Sequence, residues 1–137
     1  MKRFLAVTAA TAALALSAPL AAQDREYSER AEEAFAELIE GREAGEPQSC
    51  ISTFVPHRLR VVEYVGLAYE RGDTLWVARA RNPDRLSVWD VPIIERRGSQ
   101  LCRHDVNRTI DRSTGMFSGI LSLEDWVPYT LVEGETE

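Results

Sequence analysis

Two cysteines, two histidines and a short acidic cluster are the side chains here that could do chemistry. Cys50 and Cys102 are the only cysteines, and His57 and His104 the only histidines. Together they would make a two-cysteine, two-histidine set of the kind that holds structural zinc. Their spacing speaks against it. Six residues lie between Cys50 and His57, and one between Cys102 and His104, whereas zinc ligands usually pair about two to five residues apart. The other reading is a single Cys50–Cys102 disulfide, which an oxidising compartment favours. No Cys-x-x-Cys is present, so a thioredoxin-like redox role is not indicated.

A second group is His104, Asp105 and Asp111, with Arg112 beside them. A small hydrolase or metal-dependent enzyme could draw a base and an orienting acid from such a set. Strand alternation, however, puts His104 on the face of Cys102 and Asp105 on the opposite one. Ser113 and Ser118 flank a glycine-containing loop, but there is no Gly-x-Ser-x-Gly elbow. Asp105 and Asp111 read more simply as turn residues that accept backbone N–H groups, with Arg108 or Arg112 as ion partners. No catalytic residue is assigned. His104, Asp105, Asp111 and Arg112 stand as candidate functional positions, and no cofactor is expected.

Other motifs have plain readings. Arg71-Gly72-Asp73 is turn chemistry. Asn107-Arg108-Thr109 fits a glycosylation pattern, which has consequence only in a eukaryotic secretory route. Trp76, Trp89 and Trp126 could line a groove for an apolar ligand, although core packing is the commoner fate of aromatics at strand spacing.

The compartment is set by the first residues. Lys2 and Arg3 precede an apolar run from Phe4 to Leu16, and small residues close with Ala21-Ala22-Gln23. That is the order of a Sec-type secretory signal peptide, cleaved after Ala22. The rival is an uncleaved anchor, but the run is shorter than the about 20 residues a span needs. The expected product, 23–137, suits one domain in the periplasm or outside the cell. Lys2 is the only lysine, which excludes a P-loop or Schiff-base lysine from that product.

Charge is unevenly placed. The whole chain carries −6; without Lys2 and Arg3 it carries −8. Acids dominate 24–46 and 124–137, and arginines the middle. An acidic chain argues against nucleic acid as a partner. No membrane contact is expected once the signal is removed, and an envelope protein is the partner class that fits.

Residues 24–44 read as an amphipathic helix. Tyr27, Ala31, Ala34, Phe35 and Leu38 share one side, and Asp24 or Ser28 serves as N-cap. Gly45 and Pro47 stop it. Strands follow over 48–53, Leu59–Val62, Val65–Glu70 and Thr74–Arg81. The third and fourth form a hairpin with a three-residue loop, which puts Val65, Leu67 and Tyr69 on the face of Leu75 and Val77. Pro92 marks 85–97 as an edge strand or loop. Ser99–Arg103 and Phe117–Leu123 are strands, Val106–Ile110 continues the first of these, and Asp111–Gly115 is a polar turn. Trp126-Val127-Pro128-Tyr129 forms a compact aromatic end, and 133–137 a disordered acidic tail.

Leu38…Gly41-Arg42-x-Ala44-Gly45-x-Pro47-x-x-Cys50-Ile51 resembles the opening of short exported proteins of alphaproteobacteria, notably sphingomonad-like species. Leu75-Trp76-Val77, Gly98-Ser99-Gln100-Leu101-Cys102, Asp105, Asp111-Arg112-Ser113 and Val127-Pro128-Tyr129 extend the likeness across roughly 38–129. Ala78 departs from it, since the family pattern has asparagine there. The resemblance implies a bacterial, exported, disulfide-containing protein and brings no activity with it.

The expected architecture is α+β, with a signal peptide over 1–22 and an N-terminal helix over 23–46. The helix packs on an antiparallel sheet or small open barrel of five to seven strands over 47–132, closed by one disulfide. The expected function is a non-enzymatic binding or interaction module. The alternatives are the His104/Asp105/Asp111 enzyme and the apolar-ligand carrier.

Overall fold

The computed structural model describes residues 19–53, 58–95 and 98–132. Residues 1–18 of the expected signal peptide, His57 and the tail 133–137 lie outside the described residues. One helix and ten strands appear among the described residues. Helix α1 (Pro19–Leu38) is followed by β1 (Arg42–Ala44), β2 (Cys50–Ser52), β3 (Leu59–Val62), β4 (Gly66–Arg71) and β5 (Thr74–Ala80). A 3-10 turn at Pro83–Arg85 leads to β6 (Asp90–Glu95), β7 (Gln100–Cys102), β8 (Val106–Asp111), β9 (Phe117–Leu121) and β10 (Leu123–Leu131). The α+β class stands, with more strands than expected.

The helix expected over 24–44 is instead Pro19–Leu38. Asp24 and Ser28, expected as caps, lie inside it. It ends earlier because Gly41 takes a left-handed conformation (φ 71°), which stops a helix without steric cost. The next residues then extend and pair with the last strand, Arg42 opposite Leu131 and Ala44 opposite Tyr129. Ala34, Phe35, Leu38 and Ile39 pack against buried Val65, Ala68, Leu75, Val77 and Tyr129. The Phe35 ring meets Tyr129 edge-on at 5.9 Å, and the Arg79 guanidinium lies 4.6 Å from its centroid. The Tyr27 and Tyr64 rings meet at a tilt of 56° with centroids 5.5 Å apart. Burial, more than the nearby acids, pushes the Tyr27 hydroxyl up to about 12.

The β4–β5 hairpin corrects the expected register. Arg71 pairs with Thr74, so the loop is two residues, Gly72-Asp73, with Gly72 at φ 61°. Glycine at that first loop position suits a tight hairpin turn. A loop one residue shorter than expected exchanges the faces of one strand. Leu67 pairs with Ala78, Ala68 with Val77, and Tyr69 with Trp76. Leu75 and Val77 therefore face the helix, while Leu67, Tyr69, Trp76 and Ala78 face the other way.

All pairings are antiparallel. The strands form a five-stranded sheet in the order β1-β10-β5-β4-β3, a three-stranded sheet β6-β8-β9 and the pair β2-β7. The helix covers one face of the five-stranded sheet. The other face buries Leu67, Tyr69, Ala78, Ala80, Leu123 and Trp126 against Leu121 and Ile94 of the three-stranded sheet. Ile51 and Leu101 from the β2-β7 pair and Leu86 complete this core. The layers thus run helix, first sheet, main core, second sheet. Pro92 sits on β6, an edge strand, where its missing N–H is tolerated.

The expected aromatic end is instead a central strand. β10 lies between β1 and β5, and Trp126 is fully buried. Arg42 donates to the Asp73 and Tyr129 carbonyls at 2.9 and 3.2 Å, tying the first strand to the end of the β4–β5 hairpin.

Among the described residues, Tyr69 Oη, Asn107 Oδ1 and Trp126 Nε1 of this interior find no hydrogen-bond partner. A buried unpaired hydroxyl destabilises relative to an apolar group of the same shape. Tyr69→Phe is therefore expected to hold or raise stability, by up to about 1 kcal/mol. Urea unfolding checks this, and a lower midpoint would show that the hydroxyl has a partner.

Candidate interaction surface

The cysteines are bonded to each other. Cys50 and Cys102 stand directly opposite on β2 and β7, with Cα atoms 4.0 Å apart. No free cysteine remains. The zinc alternative through Cys50, His57, Cys102 and His104 therefore loses both thiolates. Among the described residues no three His, Cys, Asp or Glu side chains come together as a metal site.

The acidic cluster is also taken apart. β7 ends at Cys102, and residues 103–105 form a turn rather than a continuing strand. Asp105 folds back, and its carboxylate accepts the Cys102 N–H at 2.6 Å. His104 is exposed, and its Nε2 accepts the Arg103 Nε–H at 3.0 Å. Asp111 lies at the far end of β8, six residues on from Asp105, which is about 20 Å along an extended strand. Its carboxylate accepts the Ser113 and Thr114 N–H groups, both at 2.9 Å, and both hydroxyls. The Ser113 hydroxyl first, then the Thr114 N–H, holds the Asp111 carboxyl below the usual range. Asp105 and Asp111 each close a turn, and no common reacting point lies between them.

The tryptophans do not share a cavity either. Trp126 is sealed in the core, Trp76 packs at its margin, and Trp89 is exposed. One concavity among the described residues is an open groove of about 560 Å³. Its walls include Ala34, Leu38, Val61, Val62, Tyr64 and Val88, with no tryptophan.

What the strands assemble instead is an exposed apolar sheet face. Residues paired across an antiparallel ladder share a face. On the three-stranded sheet this gives successive rows. Arg112 N–H bonds the Trp89 carbonyl at 2.8 Å and starts the first. Val91, Ile110 and Phe117 make the second, Ile93, Arg108 and Ile120 the third, and Glu95 with Val106 the fourth. Phe117 and Ile120 leave 61% and 66% of their surface in solvent, and Trp89 leaves 59%. Met116 beside them is exposed as well. The charged side chains of the last two rows, Arg108 and Glu95, are ion-paired to each other.

The opposite face of this sheet is unusually polar. Asp90, Asn107 and Thr109 are buried. Ser118 donates its hydroxyl to Asp90 at 2.6 Å and lies 2.9 Å from the Thr109 hydroxyl. The Ser87 N–H reaches the second Asp90 oxygen at 2.8 Å. Asp90 and Thr109 are thus buried and joined through the exposed Ser118, beside Ile94 and Leu121 of the core, while Phe117 and Ile120 stand outward.

No protein family, curated protein or solved structure matches this chain.

Of the positions singled out in the sequence, Arg112 and Trp89 lie at this apolar face, and His104, Asp105 and Asp111 are not among its rows. The others on it were hidden by a common assumption. Alternation along β8 separates Val106 and Ile110 from Asn107 and Thr109, but alternation alone does not say which set is inside. A reader who assumes that apolar residues turn inward buries the wrong set. The available signal was Met116–Leu123, a run without charge next to the polar Asp111–Gly115 turn.

Proposed function

We propose that this protein is an exported, disulfide-closed binding module that works through the outer face of β6, β8 and β9. The exposed apolar rows carry this reading. Contiguous apolar patches larger than about 300–600 Å² are rare on monomers and mark contact sites. The signal-like start, the oxidised cysteine pair and the resemblance to exported alphaproteobacterial proteins support a bacterial envelope location. The His104/Asp105/Asp111 enzyme reading has less support, since Asp105 and Asp111 are separated and each holds a turn. In the same reading the helix is amphipathic, and the sheets form a small open barrel. β9 runs through Ser122 into β10, and β3 lies beside β6.

The expected test result concerns location. A photo-reactive side chain at position 117, in cells that export the protein, should give an adduct of one defined mass. The same group at Glu33, on the solvent side of the helix, should give none. Adducts at 33 and not at 117 would move the working surface to the helix and sink this proposal.

A further inference from the structure

We infer that the partner of this face is a second copy of the same chain. This rests on the binding-module reading and names the occupant of its surface. Three observations point the same way.

The first is area. Trp89, Ile93, Val106, Phe117 and Ile120 together present on the order of 600 Å², with exposed Met116 at the border, close to one partner's share of a standard interface.

The second is the order of charges along the face. Arg112 marks one end, beside Trp89, and Glu95 marks the other, beside Val106. A two-fold axis lying between two such faces and running across the strands reverses that order. It lays the Arg112 end of one copy over the Glu95 end of its partner. It also lays the Val91–Ile110–Phe117 row over the partner's Ile93–Arg108–Ile120 row. Such an isologous contact makes each charge pair twice. Arg108, ion-paired to Glu95 within its own copy, shares that carboxylate with the Arg112 of the other copy.

The third is where the remaining charge sits. The acidic helix packs on the other face of the first sheet, with the main core between that sheet and this one, although its Ala34–Leu38 part shares a groove with Val88. Two acidic chains joined here keep their most acidic elements apart, which lowers the repulsion that otherwise opposes self-association.

Sedimentation equilibrium of the purified, oxidised chain should give twice the single-chain mass at concentrations up to about 100 μM. Phe117→Glu and Ile120→Glu should each return it to one chain, with the far-ultraviolet circular dichroism unchanged because both side chains are exposed. Arg112→Glu and Glu95→Arg should each weaken self-association about tenfold. An equimolar mixture of those two variants restores both charge pairs and should recover the affinity. A single-chain mass for the wild type throughout overturns the inference, as does a mixture that stays as weak as its components. If the wild type is single but position 117 still gives a defined adduct, only the second-copy inference falls. If position 117 gives none either, the binding-module reading falls with it.

Discussion

Gly66→Ala should prevent the domain from folding stably. Gly66 is the first residue of β4, with φ 152°. A Cβ built there would lie 2.2 Å from the Ala78 carbonyl oxygen and 2.6 Å from the Ala80 nitrogen. Both are backbone atoms of the neighbouring strand, so no rotamer change relieves the overlap. β5 would have to move, and it carries Trp76, Val77, Ala78 and Ala80 into the packing on both of its faces. The Ala80 N–H bond to the Val65 carbonyl, 2.8 Å long, would break with it. The loss should exceed about 4 kcal/mol, a large part of the roughly 5–15 kcal/mol that domains have. Gly72→Ala is the control. Gly72 also has positive φ, but nothing lies within 4 Å of its added Cβ. That change should cost only about 1–2 kcal/mol of backbone strain. Urea unfolding followed by the buried Trp126 measures both. Equal losses would show that strain at φ, not strand contact, sets the Gly66 requirement.

Breaking the disulfide should lower stability by about 4 kcal/mol, by the loop-closure entropy of a chain tied across 52 residues. The structure adds a local reason for a large effect. β2 and β7 are three residues each and pair only with each other, and short two-stranded ribbons are marginal alone. Their middle residues, Ile51 and Leu101, are buried in the main core. Freed strands would pull both out. Cys50→Ser with Cys102→Ser, compared with wild type in urea with and without reductant, reads the difference. An unchanged midpoint would show that strand pairing and the two apolar anchors hold this end unaided.

The parts of this fold that were legible in the sequence are those fixed by nearby residues. β3 runs over Leu59–Val62 as alternation expects, Pro92 marks an edge, Asp111 opens a turn, and two cysteines in an exported-looking chain pair. The rest depended on choices that neighbours do not decide. Gly41 and Gly45 are both plausible helix stops, and only the pairing of Arg42–Ala44 with β10 selects Gly41. One residue of loop length at Gly72 decides which face Leu75 and Val77 take. Trp126–Tyr129 looks like a terminal cluster until β1 and β5 are seen on either side. The candidate surface was the least legible of all. Its outward apolar rows depend on a hydrogen-bonded set, buried Asp90 and Thr109 with exposed Ser118, assembled from three different strands.

The position of β10 bears on when the protein can become itself. Arg42 meets Tyr129 across 87 residues, and Trp126 fills the middle of the main core. The core therefore stays open until the last strand is available. Non-local closure of this kind is slow. If the proposed export holds, a chain threaded amino-terminus first through a secretion channel would deliver β10 after every other described strand. It would remain loose enough to pass, and would lock only after release.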